Sequence, residues 1–268
     1  MFSVVIPVYN HAQFVRQAIW SALRCPLASE ILVVDDGSKD GSEKILASMA
    51  AAHAGRVRDV TPRSGGNRGA HQRLNELVEM AQNDWIAVLN SDDAFVNGRF
   101  ESIVQDRGFS ECEFAFGNLL FMNGRGALTG AKRGPLDTWK PFRPSIDLLK
   151  MMADRRFAEL MSEQNYIVTT SNMIFRKSLH ARIGGFRNYR YVHDWDFALR
   201  AMQLGRAAYI PRFLTAYRIH SQNTIAENEQ RARSETKVML ASHGVYLGPT
   251  QNVYLSTPVL KEGPICEP

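Results

Sequence analysis

Trp85-Ile86-Ala87-Val88-Leu89-Asn90-Ser91-Asp92-Asp93 runs from an unbroken apolar stretch straight into polar residues. A short apolar run bounded this way reads as a buried strand, and a strand that ends in paired carboxylates puts charge at the rim of a sheet. Working back from it, Leu74, Leu77, Val78 and Ala81 keep helical spacing from Ala70 onward. Before them lies Pro62 to Gly69, a loop rich in glycine and arginine, and Val57 to Val60, a short strand. The same alternation continues to the start of the chain. Phe2 to Val8 and Ile31 to Val34 read as strands. Between them Phe14, Val15, Ala18, Ile19, Ala22 and Leu23 line one helical face that Pro26 stops. After Val34, Asp40 with Glu43 forms a capping-box pattern, and Ile45, Leu46 and Met49 give the next apolar stripe. Strands alternating with amphipathic helices predict βαβ units, hence an α/β class with a mostly parallel central sheet flanked by helices.

Downstream of Phe100 the pattern loosens, and glycines and prolines from Gly117 to Pro144 predict an open region without long elements. Order is expected again at Met173 to Phe175 and Ala207 to Ile210 as strands. Asp194 to Leu204 and a polar stretch near Ala226 to Ala241 read as helices, and a tail follows from Gly248. No linker or repeat divides the chain, so a single domain is expected. Its parts are a first half at 1–99, a second half at 100–225, and a C-terminal helix and tail at 226–268.

With 268 residues, 45% of them hydrophobic and 22% charged, the chain can bury a substantial core, which argues against disorder. It has no apolar run long enough to span a membrane, and Met1 leads directly into the first strand. The expectation is a cytoplasmic protein, with peripheral contact at the inner membrane face left open. Cys25, Cys112 and Cys266 have neither zinc-site nor disulfide spacing. The net charge of +5 suits an anionic partner such as a nucleoside diphosphate, but the arginines are dispersed and no nucleic-acid motif accompanies them.

In an open α/β sheet, ligands bind beyond the carboxyl ends of the strands. Pro7-Val8-Tyr9-Asn10, Asp35-Asp36-Gly37-Ser38 and Asp92-Asp93 all fall there. Carboxylates facing one crevice repel unless donors or a cation lie between them, and Mg²⁺ or Mn²⁺ bound to a phosphate ligand would resolve the conflict. Taken alone, an Asp-Asp pair is more often an Asx turn or a helix cap than a metal site.

Ser3-Val4-Val5-Ile6-Pro7-Val8-Tyr9-Asn10, Val34-Asp35-Asp36-Gly37-Ser38 and Leu89-Asn90-Ser91-Asp92-Asp93 together resemble family 2 glycosyltransferases in order and spacing. Asn67-Arg68-Gly69, Asn75 and Ala81 stand where that family has similar residues, although Arg73-Leu74 replaces its usual Ala-Arg. Ile183-Gly184-Gly185-Phe186 and His193-Asp194-Trp195-Asp196 look like its Gly-Gly-Phe and Glu-Asp-x-Asp segments, with His193 in place of Glu and, earlier, Asn90 in place of Asp. The resemblance spans roughly residues 2 to 225. It implies a GT-A, Rossmann-like fold, with 1–99 as the nucleotide-sugar-binding half and 100–225 as the acceptor-binding and catalytic half, and an inverting transfer from a nucleoside-diphosphate sugar, such as a UDP-sugar, to a glycan or lipid-linked glycan.

By the same resemblance, Pro7, Val8, Tyr9, Asn10, Asp35, Asp36 and Asn67 would hold the nucleotide and Asp92 its ribose. Asp93 and His220 would hold Mn²⁺ or Mg²⁺, and Asp194 would be the general base. A charged His193 beside Asp194 would favour its carboxylate form. Arg218 could face phosphate, and Trp195 could stack on an acceptor sugar or join the core.

Other readings fit less well. A sugar nucleotidyltransferase or a dehydrogenase would need glycines after the first strand, and Pro7-Val8-Tyr9-Asn10-His11-Ala12 has none. A non-catalytic nucleotide- or glycan-binding module would not need Asp36, Asp93 and Asp194 together. No membrane helices or Gln-x-x-Arg-Trp segment of processive synthases occur, which favours transfer of a single sugar.

Overall fold

Among the described residues the apolar runs pair into one nine-stranded sheet, ordered β3-β2-β1-β4-β8-β6-β9-β5, with β7 hanging on β6. A computed structural model describes residues 1–63, 66–136, 154, 156–221, 223 and 228–245. Its strands are β1 (Phe2–Val8), β2 (Ala28–Asp35), β3 (Val57–Asp59), β4 (Trp85–Val88), β5 (Ala94–Phe95), β6 (Phe114–Asn123), β7 (Leu128–Lys132), β8 (Ile174–Arg176) and β9 (Ala207–Ile219). The helices are α1 (Val15–Leu23), α2 (Ser42–Ala52), α3 (Ala70–Met80), α4 (Arg99–Val104), α5 (Phe157–Glu163), α6 (Lys177–Ile183), α7 (His193–Leu204) and α8 (Glu229–Ser242).

β1 lies between β2 and β4 and runs parallel to both, with Val8 opposite Asp35 and Val5 opposite Val88. The ends of these strands therefore open on one edge. β8 is antiparallel to both β4 and β6, so β6 and its parallel partner β9 regain the direction of β1. Only β5, β7 and β8 run against the rest. The helices cover both faces. The largest apolar clusters are one that gathers Val5, Leu74, Ile86, Phe175 and Trp195 and one that gathers Val4, Ile6, Ile19, Leu46 and Phe100.

Two expectations need correction. Much of the region expected to be open is a ten-residue strand, β6, hairpinned to β7. Gly117 does not break β6, because β9 crosses it so closely that a Cβ there would lie 2.5 Å from the Leu214 side chain. Glycine is what permits that approach. The strand expected to stop at Ile210 continues to Ile219, because Pro211 and Arg212 fall where the register slips between Gly117 and Asn118. A bulge tolerates proline's missing N–H. Residues 137–144, 226 and 227 and the tail from Gly248 lie outside the described residues.

Candidate active site

β1 ends in a tight link to β2. Asn10, at φ 53°, takes the left-handed conformation that asparagine tolerates, and its side-chain oxygen accepts from Lys39 N at 2.8 Å. Its own N–H donates to Ser38 Oγ, and Asp36 N donates to Val8 O. Asn67 lies on the exposed side of this loop, its backbone N packed against Gly37. Pro7 is half-buried, Val8 buried and Tyr9 exposed.

The two adjacent aspartates after β2 behave differently. Asp36 is buried and saturated: it accepts from Arg68 N, Gly69 N and Arg73 Nε at 2.8, 2.9 and 2.8 Å. Its carboxylate thus fixes the loop into α3. Asp35 accepts from Gly37 N and Ser38 N through Oδ2, while its buried Oδ1 has no partner. An orphaned buried acceptor is costly, so the free oxygen at this loop is Asp35 Oδ1.

A similar division separates the pair after β4. Asp93 turns inward, accepting from Thr169 Oγ1 at 2.9 Å, Ser171 Oγ at 2.6 Å and Arg218 N at 2.9 Å. Burial, then the neighbouring Asp92 charge, push its carboxyl up to about 7. Asp92 instead faces two imidazoles. His220 Nε2 lies 3.0 Å and His11 Nε2 3.9 Å from Asp92 Oδ2. Burial alone would raise Asp92, but the His220 hydrogen bond and the two histidines hold it below the usual carboxylate range.

The ligand atoms of His11, Asp92 and His220 fall within 4.8 Å of one another. His11 Nδ1 contacts Ser91 Oγ at 2.8 Å, which aims its other nitrogen inward. Two imidazoles and one carboxylate fit Mn²⁺ better than Mg²⁺, which favours an all-oxygen shell. Asp93, the carboxylate expected at the cation, is engaged by protein donors, and Asp92, expected at the ribose, carries the cluster.

Asp194 stands in the first turn of α7. It accepts from Trp195 N at 2.7 Å and from the Asn165 side chain. Burial raises its carboxyl to about 7, against those hydrogen bonds. Asn165 Oδ1 also accepts from Ile167 N and Val168 N, and Thr169 next along holds Asp93. One short segment therefore touches both Asp194 and Asp93. The buried Tyr217 feels Asp93, Asp92 and Asp194 together. On the other flank, His71 lies within the fields of both His193 and Asp36.

Two expectations change here, for His193 and Arg218, and Trp195 takes the core place that was one of its two readings. His193 is shifted down by burial, so it supplies no positive charge to Asp194 at neutral pH. Trp195 is core, its Nε1 donating to Met161 O at 2.6 Å. Arg218 is buried and bonded to Asp92 O, Asn123 O and Gln17 Oε1, not turned toward phosphate. His11, Asn165, Thr169 and Ser171 join the site through the fold and carry no motif of their own in the sequence. The signal for His11 was its place directly after Asn10 at the end of β1.

A family model described as glycosyl transferase family 2 matches residues 3–184. The chain belongs to that family. The match to this family 2 chain stops before α7. Among curated relatives, the succinoglycan biosynthesis protein ExoU of Rhizobium meliloti is 32% identical over 146 residues, 54% of this chain and 40% of that protein. A Mycoplasma genitalium glycosyltransferase is 33% identical over 96 residues, 35% of this chain and 32% of its own length. The chain therefore spans well under half of each of these relatives.

Among solved structures, S. aureus TarS residues 1–349 with UDP-GlcNAc superposes with TM-score 0.63 at 13% identity, covering 89% of this chain and 65% of that one. The Pyrobaculum calidifontis mannosyltransferase PcManGT with GDP-Man and Mn²⁺ gives 0.59 at 17% identity, covering 91% and 63%. The fold is GT-A. Among the described residues no helix is long and apolar enough to cross a membrane.

Proposed function

We propose that this family 2 chain is an inverting glycosyltransferase that moves a sugar from a nucleoside diphosphate to a hydroxyl of a glycan or lipid-linked glycan. The observation that carries this reading is that one short segment joins the two parts of the site: Thr169 and Ser171 bond Asp93, next to the Asp92 that clusters with His11 and His220, and the Asn165 side chain bonds the buried Asp194.

The donor's base would enter at the ends of β1 and β2, where the unpartnered Asp35 Oδ1 can accept a ring N–H such as that of uracil. Pro7, Val8, Tyr9, Asn10 and Asn67 frame that loop, with Asp36 holding its far wall through Arg68 and Gly69. TarS bound to UDP-GlcNAc supports a UDP-sugar donor, and PcManGT with Mn²⁺ supports a cation. His11, Asp92 and His220 would hold it, with Asp93 bracing the turn from within. A divalent ion at that point offsets charge on the departing diphosphate.

Asp194 would remove the proton from the acceptor hydroxyl as its oxygen attacks the anomeric carbon, the diphosphate leaving from the opposite face. One displacement inverts that carbon. The Asn165 amide and Trp195 N–H fix the orientation of the carboxylate.

The test is a panel of UDP- and GDP-sugars with Mn²⁺, comparing wild type with Asp194→Asn. We expect kcat to fall by about 10²- to 10⁴-fold, the usual contribution of a general base, with donor KM little changed. Full turnover in Asp194→Asn would overturn the base assignment. Tight donor binding without product in the wild type would leave only a binding module.

A further inference from the structure

We propose that Glu235, on the C-terminal helix α8, is a positioning residue that fixes the backbone leading into α7 and so holds Asp194 in place; this rests on Asp194 being the base. The residue before α7, Val192, has no side chain able to cap a helix. Its place is taken from another element. The Glu235 carboxylate accepts from Arg190 N at 3.1 Å, Tyr191 N at 2.6 Å and Val192 N at 3.1 Å, so three consecutive amides converge on one side chain. A carboxylate receiving several backbone N–H groups is a strong, directional clamp.

α8 can bear that load because its other face is anchored. Ala232, Met239 and Leu240 are buried, the latter two in the cluster that contains Val192 and Trp195. Just past its end, His243 Nε2 lies 3.1 Å from Asp196 Oδ1. Asp196, fully buried, is also bonded by Arg200 and paired with Arg187. The C-terminal segment thus grips α7 on both sides of Asp194, at Val192 through Glu235 and at Asp196 through His243.

The grip carries charge as well as shape. Facing Asp194 or its neighbour His193 are Glu235 from α8, Asp196 on α7, Tyr217 from β9 and His71 from α3, together with the neutral amide of Asn165. After burial, the Glu235 charge adds to what keeps the Asp194 carboxyl high. Neither Asp194 nor α8 falls within residues 3–184, the stretch matched to the family model.

The experiment compares Glu235→Ala and Glu235→Gln in the full chain, with donor hydrolysis in Mn²⁺, melting temperature, and ¹³C NMR titration of the Asp194 carboxyl. We expect Glu235→Ala to lower kcat roughly tenfold or more with donor KM within about twofold, since misplacing a reacting group erodes the chemical step. Glu235→Gln keeps an acceptor oxygen and loses the charge. It should restore most of kcat and lower the Asp194 midpoint by about 0.3 to 1 pH unit.

Wild-type kcat and an unmoved midpoint in both variants would overturn the proposal. So would a kcat loss in Glu235→Ala no larger than its loss of folded protein. If Glu235→Ala does not fold, the midpoint in Glu235→Gln decides. Asp194→Asn run alongside separates the two ideas: full turnover there sinks the base, whereas a dead Asp194→Asn with an indifferent Glu235 pair sinks only the clamp.

Discussion

Within each Asp-Asp pair, the neighbour's hydrogen bonds decide what is left for a ligand. Asp36 and Asp93 are consumed by protein donors, while Asp35 keeps one bare oxygen and Asp92 looks onto two histidines. Asp194 is different again, because burial places its protonation near neutral pH. A base must be ionised to act, so the folded carboxyl at about 7 leaves it largely protonated, and idle, at lower pH. We expect kcat/KM for transfer to fall roughly tenfold per pH unit on the acid side of about 7. An acid limb near the ordinary aspartate value instead would show that Asp194 is not the titrating base. The same shift acts on folding in the other sense: a raised carboxyl favours the folded state at low pH, and that contribution is lost as pH rises from about 4 to 7.

At the scale of elements, legibility followed burial pattern. β1 emerged at its observed bounds because Phe2 to Val8 is apolar but for Ser3, and α1 and α3 because their stripes repeat at helical spacing. β6 was hidden, although Phe114 to Met122 is almost as apolar, because Gly117 read as a break when it is a site of close approach. Whether a glycine interrupts a strand or admits a neighbour depends on a partner more than ninety residues away. Gly117→Ala should make this visible. The added Cβ would meet Leu214 side-chain carbons at 2.5 and 2.6 Å and the Arg212 carbonyl at 2.9 Å. A carbonyl cannot swing aside as a side chain can, so we expect a loss of about 1–3 kcal/mol in urea unfolding. A change within error would mean that β9 yields freely at its bulge. The site's hydroxyl and amide ring of Asn165, Thr169 and Ser171 was illegible for another reason. Each is a common turn residue, and only the fold brings it onto a carboxylate.

For the molecule as a whole, the family's motifs mark the carboxyl ends of β1, β2 and β4, and the hydrogen bonds there separate braced aspartates from open ones. If His11, Asp92 and His220 hold the cation, Mn²⁺ with UDP should raise the melting temperature of the wild type. At a hundredfold excess over Kd the stabilisation is about 2.7 kcal/mol, worth a few degrees in a chain of this size. The Mn²⁺-dependent part of the shift should shrink strongly in Asp92→Asn and partly in His11→Asn. An undiminished shift in both would place the ion elsewhere.

The Arg218 guanidinium spans what a hinge would have to separate. It donates to Gln17 from α1, to the Asp92 carbonyl after β4, and to the Asn123 and Gly124 carbonyls at the β6–β7 turn, with Phe14 stacked beneath it. Prising the amino-terminal strands away from the later ones would strand a buried cation without its acceptors, at several times thermal energy. The crevice is therefore better described as a cast mould than as a jaw. If it is the active site proposed above, substrates and products would pass by the motion of its rim, with the walls standing still.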